Sequence, residues 1–201
     1  MKIAGMFFEV NITPKEEGVS EEVKELIIKL SDKFKTNIEN GLKEFELKKN
    51  GDIFNYRTKR YSALVSQIGG FIRTISEQEI SAEDIAIFQK IFEPFFIEFN
   101  ENIRIRPHLS LVLNGNFQNV VNKFEIEKKL NGLKLNVEIE HSGILITALD
   151  GKIPVELEVI PKRIEAKVCY CVALKEHTQK TNLNITQSID FVKKSVEELN
   201  K

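Results

Sequence analysis

The sequence predicts an α+β fold in which helices pack against an antiparallel sheet. Three observations lead there. Apolar residues recur at helical spacing over Val23 to Ile38, Ile85 to Phe92 and Ile185 to Leu199. Between Ile103 and Leu174 the apolar period falls to two. Asn-Gly or Asp-Gly pairs at 50–51, 114–115, 131–132 and 150–151 separate alternating runs, as hairpins require. The 201 residues, 42% of them hydrophobic, suit one domain spanning 1–201. Any subdivision would fall near Asn100, between a mixed α/β part (1–100) and a β-meander with a C-terminal helix (101–201).

The elements follow in order. Ile3 to Ile12 is rich in β-favouring residues and closes at Thr13-Pro14, so it reads as a strand. Ser20 caps a helix with Glu21 and Glu22 in its first turn, where acidic groups suit the positive end of the helix dipole. Val23, Leu26, Ile27, Leu30, Phe34 and Ile38 form its buried stripe, and Asn40-Gly41 should end it in a left-handed turn. A type I′ turn centred on Asn50-Gly51 sets Leu47 opposite Phe54 and Phe45 opposite Tyr56, with Glu44 and Glu46 opposite Arg57 and Asn55 on the wet face. For Arg60 to Ile75, the spacing of Tyr61, Leu64, Val65 and Ile68 predicts a short helix before a strand. Ile68-Gly69-Gly70-Phe71 also fits a turn between strands. Ser81 and Asp84 form a capping-box pattern that opens a helix through Ile85, Phe88 and Phe92, and Pro94 should kink or end it.

The second half predicts a meander of about six strands. About Asn131-Gly132, Phe124 and Ile126 face Val137 and Ile139; about Asp150-Gly151, Ile144, Ile146 and Ala148 face Leu157, Val155 and Ile153. The last strand places Ile164, Ala166, Val168, Tyr170, Val172 and Leu174 on one face. After a polar linker, Asn184 and Gln187 cap a terminal helix whose Ile185, Ile189, Val192, Val196 and Leu199 alternate by four and three. Such a stripe is expected to lie on the sheet or the first helix, a dimer seam being its other use. In outline the order resembles the helix-grip arrangement, in which a curved sheet wraps a C-terminal helix and encloses an apolar cavity.

Charge and cysteine usage exclude some roles. A net charge of −1 lacks the whole-chain field of a protein that lives on phosphate backbones. No run approaches eighteen apolar residues and Met1 to Val10 carries no cleavage site, so neither membrane spanning nor secretion is expected. Cys169 and Cys171 are too close along an extended chain to pair, which fits a reducing cytoplasmic setting.

Pro107-His108-Leu109-Ser110-Leu111 is the sharpest short pattern. On a strand, His108 and Ser110 share a face, so the imidazole can transfer protons while the hydroxyl holds an anionic oxygen. These residues resemble the two-histidine phosphoesterase family, whose hallmark is two His-x-Ser/Thr motifs facing across a cleft. That resemblance implies phosphoesterase activity with His108 and Ser110 as one half-site. His177-Thr178 would have to serve as the other, and departs from the pattern because Gln179 occupies the second place after the histidine. The competing reading places His108 and Ser110 on the polar face of an ordinary strand.

The other constellations are weaker. Cys169, Cys171, His177 and His141 invite a metal, but Cys-x-Cys on a strand aligns thiolates poorly, and no metal is expected. Arg57, Lys59 and Arg60, flanked by Tyr56 and Tyr61, could contact an anion or stack bases; they also serve as solvated charges at a hairpin end. Phe92, Phe95, Phe96 and Phe99 could line an apolar ligand pocket or partner surface, although core packing is the commoner use. The chain has no nucleotide-binding glycine loop, no Gly-x-Ser-x-Gly and no His-Glu-x-x-His, so no cofactor is expected. The composite expectation is a non-catalytic binding or protein-interaction module. Its partner would be another protein or a second copy of the chain, and nucleic acid and membrane are not expected. A carrier of a small apolar ligand and a phosphoesterase using His108 and Ser110 are the alternatives.

Overall fold

A computed structural model of the protein describes residues 2–14, 20–75, 78–92, 103–114, 136–139, 144–150, 153–160, 163–169 and 185–199. Among these the chain is α+β. Ten strands form one sheet that runs, edge to edge, 46–50, 53–57, 61–66, 69–74, 2–14, 103–114, 163–169, 153–160, 144–150 and 136–139, with every neighbouring pair antiparallel.

The strand β1 (Lys2–Pro14) buries Ile3, Met6, Phe8, Val10 and Ile12. A register shift between Ile3 and Gly5 absorbs one residue, which is how Ile3 and Met6 reach the same face despite an odd separation. Helix α1 (Glu21–Gly41) starts where Ser20 Oγ accepts the Val23 N–H at 3.4 Å, and buries Val23, Ile27, Leu30, Phe34 and Ile38. Its end departs from expectation. Gly41 stays helical, and the Leu42 N–H donates to the Ile38 carbonyl at 2.9 Å. The glycine is needed for close approach instead, since a Cβ there would lie 3.2 Å from Ile91 Cγ1 of the next helix.

Strands β2 (Glu46–Asn50) and β3 (Ile53–Arg57) form the expected hairpin with its register moved by two. Leu47 pairs with Tyr56 and Lys49 with Phe54, so the loop is Gly51-Asp52. Gly51 has φ 59° and Asp52 is not left-handed, the pattern of a type II′ turn with glycine first. A shift of two leaves every side chain on its predicted face.

Residues 61–74 form a second hairpin, not a helix and a strand: β4 (Tyr61–Ser66) and β5 (Gly69–Thr74). Tyr61, Ala63 and Val65 are buried at period two, while Ile68 in the turn is 59% exposed. Gly69 and Gly70 belong to the strand. A Cβ on Gly69 would collide with the Val10 carbonyl, and one on Gly70 with the Leu64 carbonyl and the Phe34 ring. Helix α2 (Ala82–Phe92) follows, opened by the Ser81–Asp84 capping box: Asp84 N–H donates to Ser81 Oγ at 3.2 Å and Ser81 N–H to Asp84 Oδ2 at 2.7 Å.

In the second half β6 (Ile103–Asn114) does not lead a simple meander. It lies between β1 and β10 (Arg163–Cys169), while β7 (Asn136–Ile139), β8 (Ile144–Asp150), β9 (Ile153–Ile160) and β10 run in sequence beside it. Its odd-numbered residues from Ile103 to Leu113 face the core. The β8–β9 register is also shifted by two from expectation: Ile144 pairs with Val159, Ile146 with Leu157 and Ala148 with Val155. The predicted strand of Phe124 and Ile126, the turn at Asn131-Gly132 and the linker at Asn100 fall outside the described residues. Helix α3 (Ile185–Leu199) buries Ile185, Ile189, Val192 and Val196 in the core shared with α1, α2 and the sheet. The Ile185 N–H donates to Gln89 Oε1 of α2 at 3.2 Å, so α3 is capped from another helix. No helix among the described residues is long and apolar enough to cross a membrane.

Candidate functional site

A cleft of about 590 Å³ opens where the end of α1, the β3–β4 turn and the start of α2 meet. Each wall has a local cause. Gly41 lets α1 end against α2, and the chain then turns through Glu44 at φ 52° into β2, leaving Lys43 and Glu44 exposed at the rim. The β3–β4 turn is held by Thr58, whose N–H donates to the Tyr61 carbonyl at 2.9 Å and whose Oγ1 accepts the Tyr61 N–H at 2.7 Å. That turn projects Lys59 and Arg60. The capping box fixes the first turn of α2 and brings Asp84 beneath them.

Asp84 is the centre of the cleft floor. Its carboxylate accepts from Arg60 Nε at 2.9 Å, Arg60 Nη2 at 2.5 Å, Ser81 N–H at 2.7 Å, Ser81 Oγ at 2.8 Å and the Tyr61 hydroxyl. Arg60 is thus bidentate to Asp84, and it also reaches Gln78 Oε1 at 3.2 Å and the Glu79 carbonyl at 3.0 Å. The Asp84 side chain is 2% exposed and that of Arg60 20%. Burial alone pushes the Asp84 carboxyl up, but the hydrogen bonds from Arg60, Tyr61 and Ser81 outweigh it and hold the group well below the usual carboxylate range. Its hydrogen bond to Asp84 raises Arg60 further. Burial, then the bond to Asp84, pushes the Tyr61 hydroxyl above the usual tyrosine range. At neutral pH these groups keep fixed protonation states.

The exposed rim has mixed signs, with Lys43 and Lys59 among Glu44, Glu79 and Glu83. Ile87 adds a small apolar area beside Tyr61.

Of the sequence-predicted residues, Lys59 and Arg60 come together here, whereas Arg57 stands apart, exposed on the outer sheet face between Glu46 of β2 and Ser62 of β4. His108 and Ser110 share the face of β6 turned away from the core, and both are half-buried. Glu9 of β1 lies across from His108, and Lys167 of β10 lies across from Ser110. Phe92 is fully buried, its ring centroid 3.7 Å from that of Phe8 and 5.1 Å from that of Phe34. Phe95, Phe96, Phe99, His141, Cys171 and His177 lie outside the described residues. Among the described residues no group of three or more His, Cys, Asp or Glu is arranged to hold a metal.

The sequence spacing shows only the capping position of Asp84. The one local signal was Ser81 three residues before it; its ionic partner Arg60 is 24 residues away and nothing in the spacing links them.

No family model and no curated protein matches the chain. Among solved structures, the chain is similar at 10% identity to a hydrolase from Listeria innocua, over 84% of this chain and 88% of that one, with a TM-score of 0.16. A likeness of that size carries no argument about fold or activity.

Proposed function

We propose that the chain is a non-catalytic protein-interaction module that receives a polypeptide segment in the cleft between α1 and α2. The observation that supports this is the division of labour among the charged groups. Those on the floor are committed to one another, and those on the rim are of both signs. A polyanion would meet Glu44, Glu79 and Glu83, and a polycation would meet Lys43 and Lys59. A polypeptide carrying both signs can satisfy each in turn, with Ile87 and Tyr61 offering apolar contact. Arg60, Asp84 and Tyr61 hold their protons or charges across the neutral range, so they are poor proton-transfer groups.

The test is a displayed-peptide selection against the purified chain, followed by fluorescence anisotropy with the enriched peptide. Lys59→Glu and Glu83→Lys should each weaken binding by about tenfold, the size expected for lost and reversed rim contacts. Affinity unchanged in both variants removes the cleft from the interaction. Hydrolysis of a cyclic nucleotide that disappears in His108→Ala would replace this reading with the phosphoesterase one. Saturable binding of a fatty-acid probe would replace it with the carrier one.

A further inference from the structure

We infer that β2 is a self-pairing edge, through which two copies of the chain join their sheets antiparallel about a two-fold axis at Leu47. This is independent of the cleft reading. β2 ends the sheet, pairs only with β3 among the described residues, and is exposed along its whole length, with Leu47 47% exposed. In a hairpin with a two-residue loop, Asn50 and Ile53 are a hydrogen-bonded pair, so Asn50, Lys48 and Glu46 direct their backbone groups at β3. Leu47 and Lys49 therefore point their N–H and C=O groups out of the sheet. An edge of this kind is a template for another strand.

Symmetry and charge narrow the occupant and its register. A two-fold axis normal to the sheet keeps equivalent faces together only if residues of like parity pair, so one residue must oppose its own copy. Placing Glu46, Lys48 or Lys49 on the axis sets like charges face to face. Placing Asn50 there leaves a single strand residue paired. Leu47 on the axis avoids both faults. Leu47 then exchanges both backbone bonds with its copy, using the groups that already point outward. Glu46 of each copy opposes Lys48 of the other in the pairs where side chains approach most closely. Lys49 opposes Phe45. Helix α1 packs on β4, β5 and β1 and reaches β3 through the Tyr56 hydroxyl, which donates to Glu39 at 2.8 Å, while β2 stays exposed along its length.

Residues 46 and 48 make a test within a single chain. Wild-type protein should be dimeric by light scattering and sedimentation at about 0.1 mM, whereas Glu46→Lys and Lys48→Glu should each weaken the dimer by about tenfold. The double variant restores the opposite-charge pairs and should restore the dimer. An equimolar mixture of the two single variants should form heterodimers, because each supplies the charges the other lacks. Leu47→Pro should abolish the dimer and keep its denaturation midpoint, since the lost N–H faces solvent in the monomer and edge strands accept proline there. A wild-type chain that remains monomeric at that concentration overturns the inference, as does a dimer indifferent to the three single changes. A wild-type monomer that adds an unrelated strand peptide at β2 also overturns it, by giving the edge to another partner.

Discussion

Asp84 is a point of local constraint, because one nearly buried carboxylate organises a guanidinium, a phenol and a helix N-terminus. Its folded-state pKa lies below the ordinary value of 3.8. The stabilisation is therefore complete above that value and is lost as pH falls from it toward the folded value. Asp84→Asn should lower stability at neutral pH by about 2 kcal/mol, since a partly buried ionic partner is left uncompensated. The same variant should lose less stability than wild type between about pH 5 and pH 2. Urea denaturation of both proteins from about pH 7 down to about pH 2 measures both effects, and equal slopes would show that the carboxylate is not the group titrating. Sequence could find half of this arrangement. Ser81 and Asp84 are three residues apart, a spacing set by the helix itself, whereas Arg60 reaches Asp84 only after β4, β5 and α2 have folded back onto the β3–β4 turn.

At the scale of elements, both described hairpins with an Asn-Gly or Asp-Gly signal have the predicted faces and a register moved by two. The alternation of apolar residues determines the face, because a one-residue slip would turn the buried set to solvent. It does not distinguish registers two apart. Turn chemistry does, and for the first hairpin the type II′ geometry puts Gly51 in the first central place. Ile68-Gly69-Gly70-Phe71 also fits a turn between strands, and the turn falls just before the glycines, which lie in β5 where carbonyls of β1 and β4 leave no room for a Cβ. The two kinds of glycine should respond differently. Gly51→Ala meets no atom within 4 Å and should cost about 1 kcal/mol, the strain of an alanine held at positive φ. Gly70→Ala must displace the Leu64 backbone or the Phe34 ring and should cost about 3 kcal/mol, as overpacking does. Thermal denaturation of the pair checks the order, and equal costs would mean that the backbone there yields more easily than the close approach implies.

For the whole molecule, β1 is the joint between halves, with β6 along almost its full length on one edge and β5 along Phe7 to Asn11 on the other. The sheet is therefore continuous across the place where composition suggested a division. Residues 103–201 produced alone should not fold cooperatively, because β6 would lose the strand that covers its edge and the Phe8 and Val10 side chains that share its core. Mixing that fragment with residues 1–102 should recover a cooperative transition by circular dichroism. A fragment that folds alone would show that the division is real.

What the sequence determined by itself was most of what local period and local capping govern, the end of α1 and the segment 61–74 being the exceptions. That includes the α+β class, the buried stripe of α1, the Ser20 and Ser81 caps, the inward faces of the strands and the paired placement of His108 and Ser110. These depend on residues within a few positions of one another, where backbone geometry dictates which side chains share a face. Tertiary structure alone decided the insertion of β1 between β5 and β6, the choice of strands over helix for 61–74, the capping of α3 by Gln89 and the assembly of the cleft around Asp84. Each of those joins groups from distant parts of the chain through backbone edges or buried charges, and neither edges nor charges carry a periodic signal that names their partner.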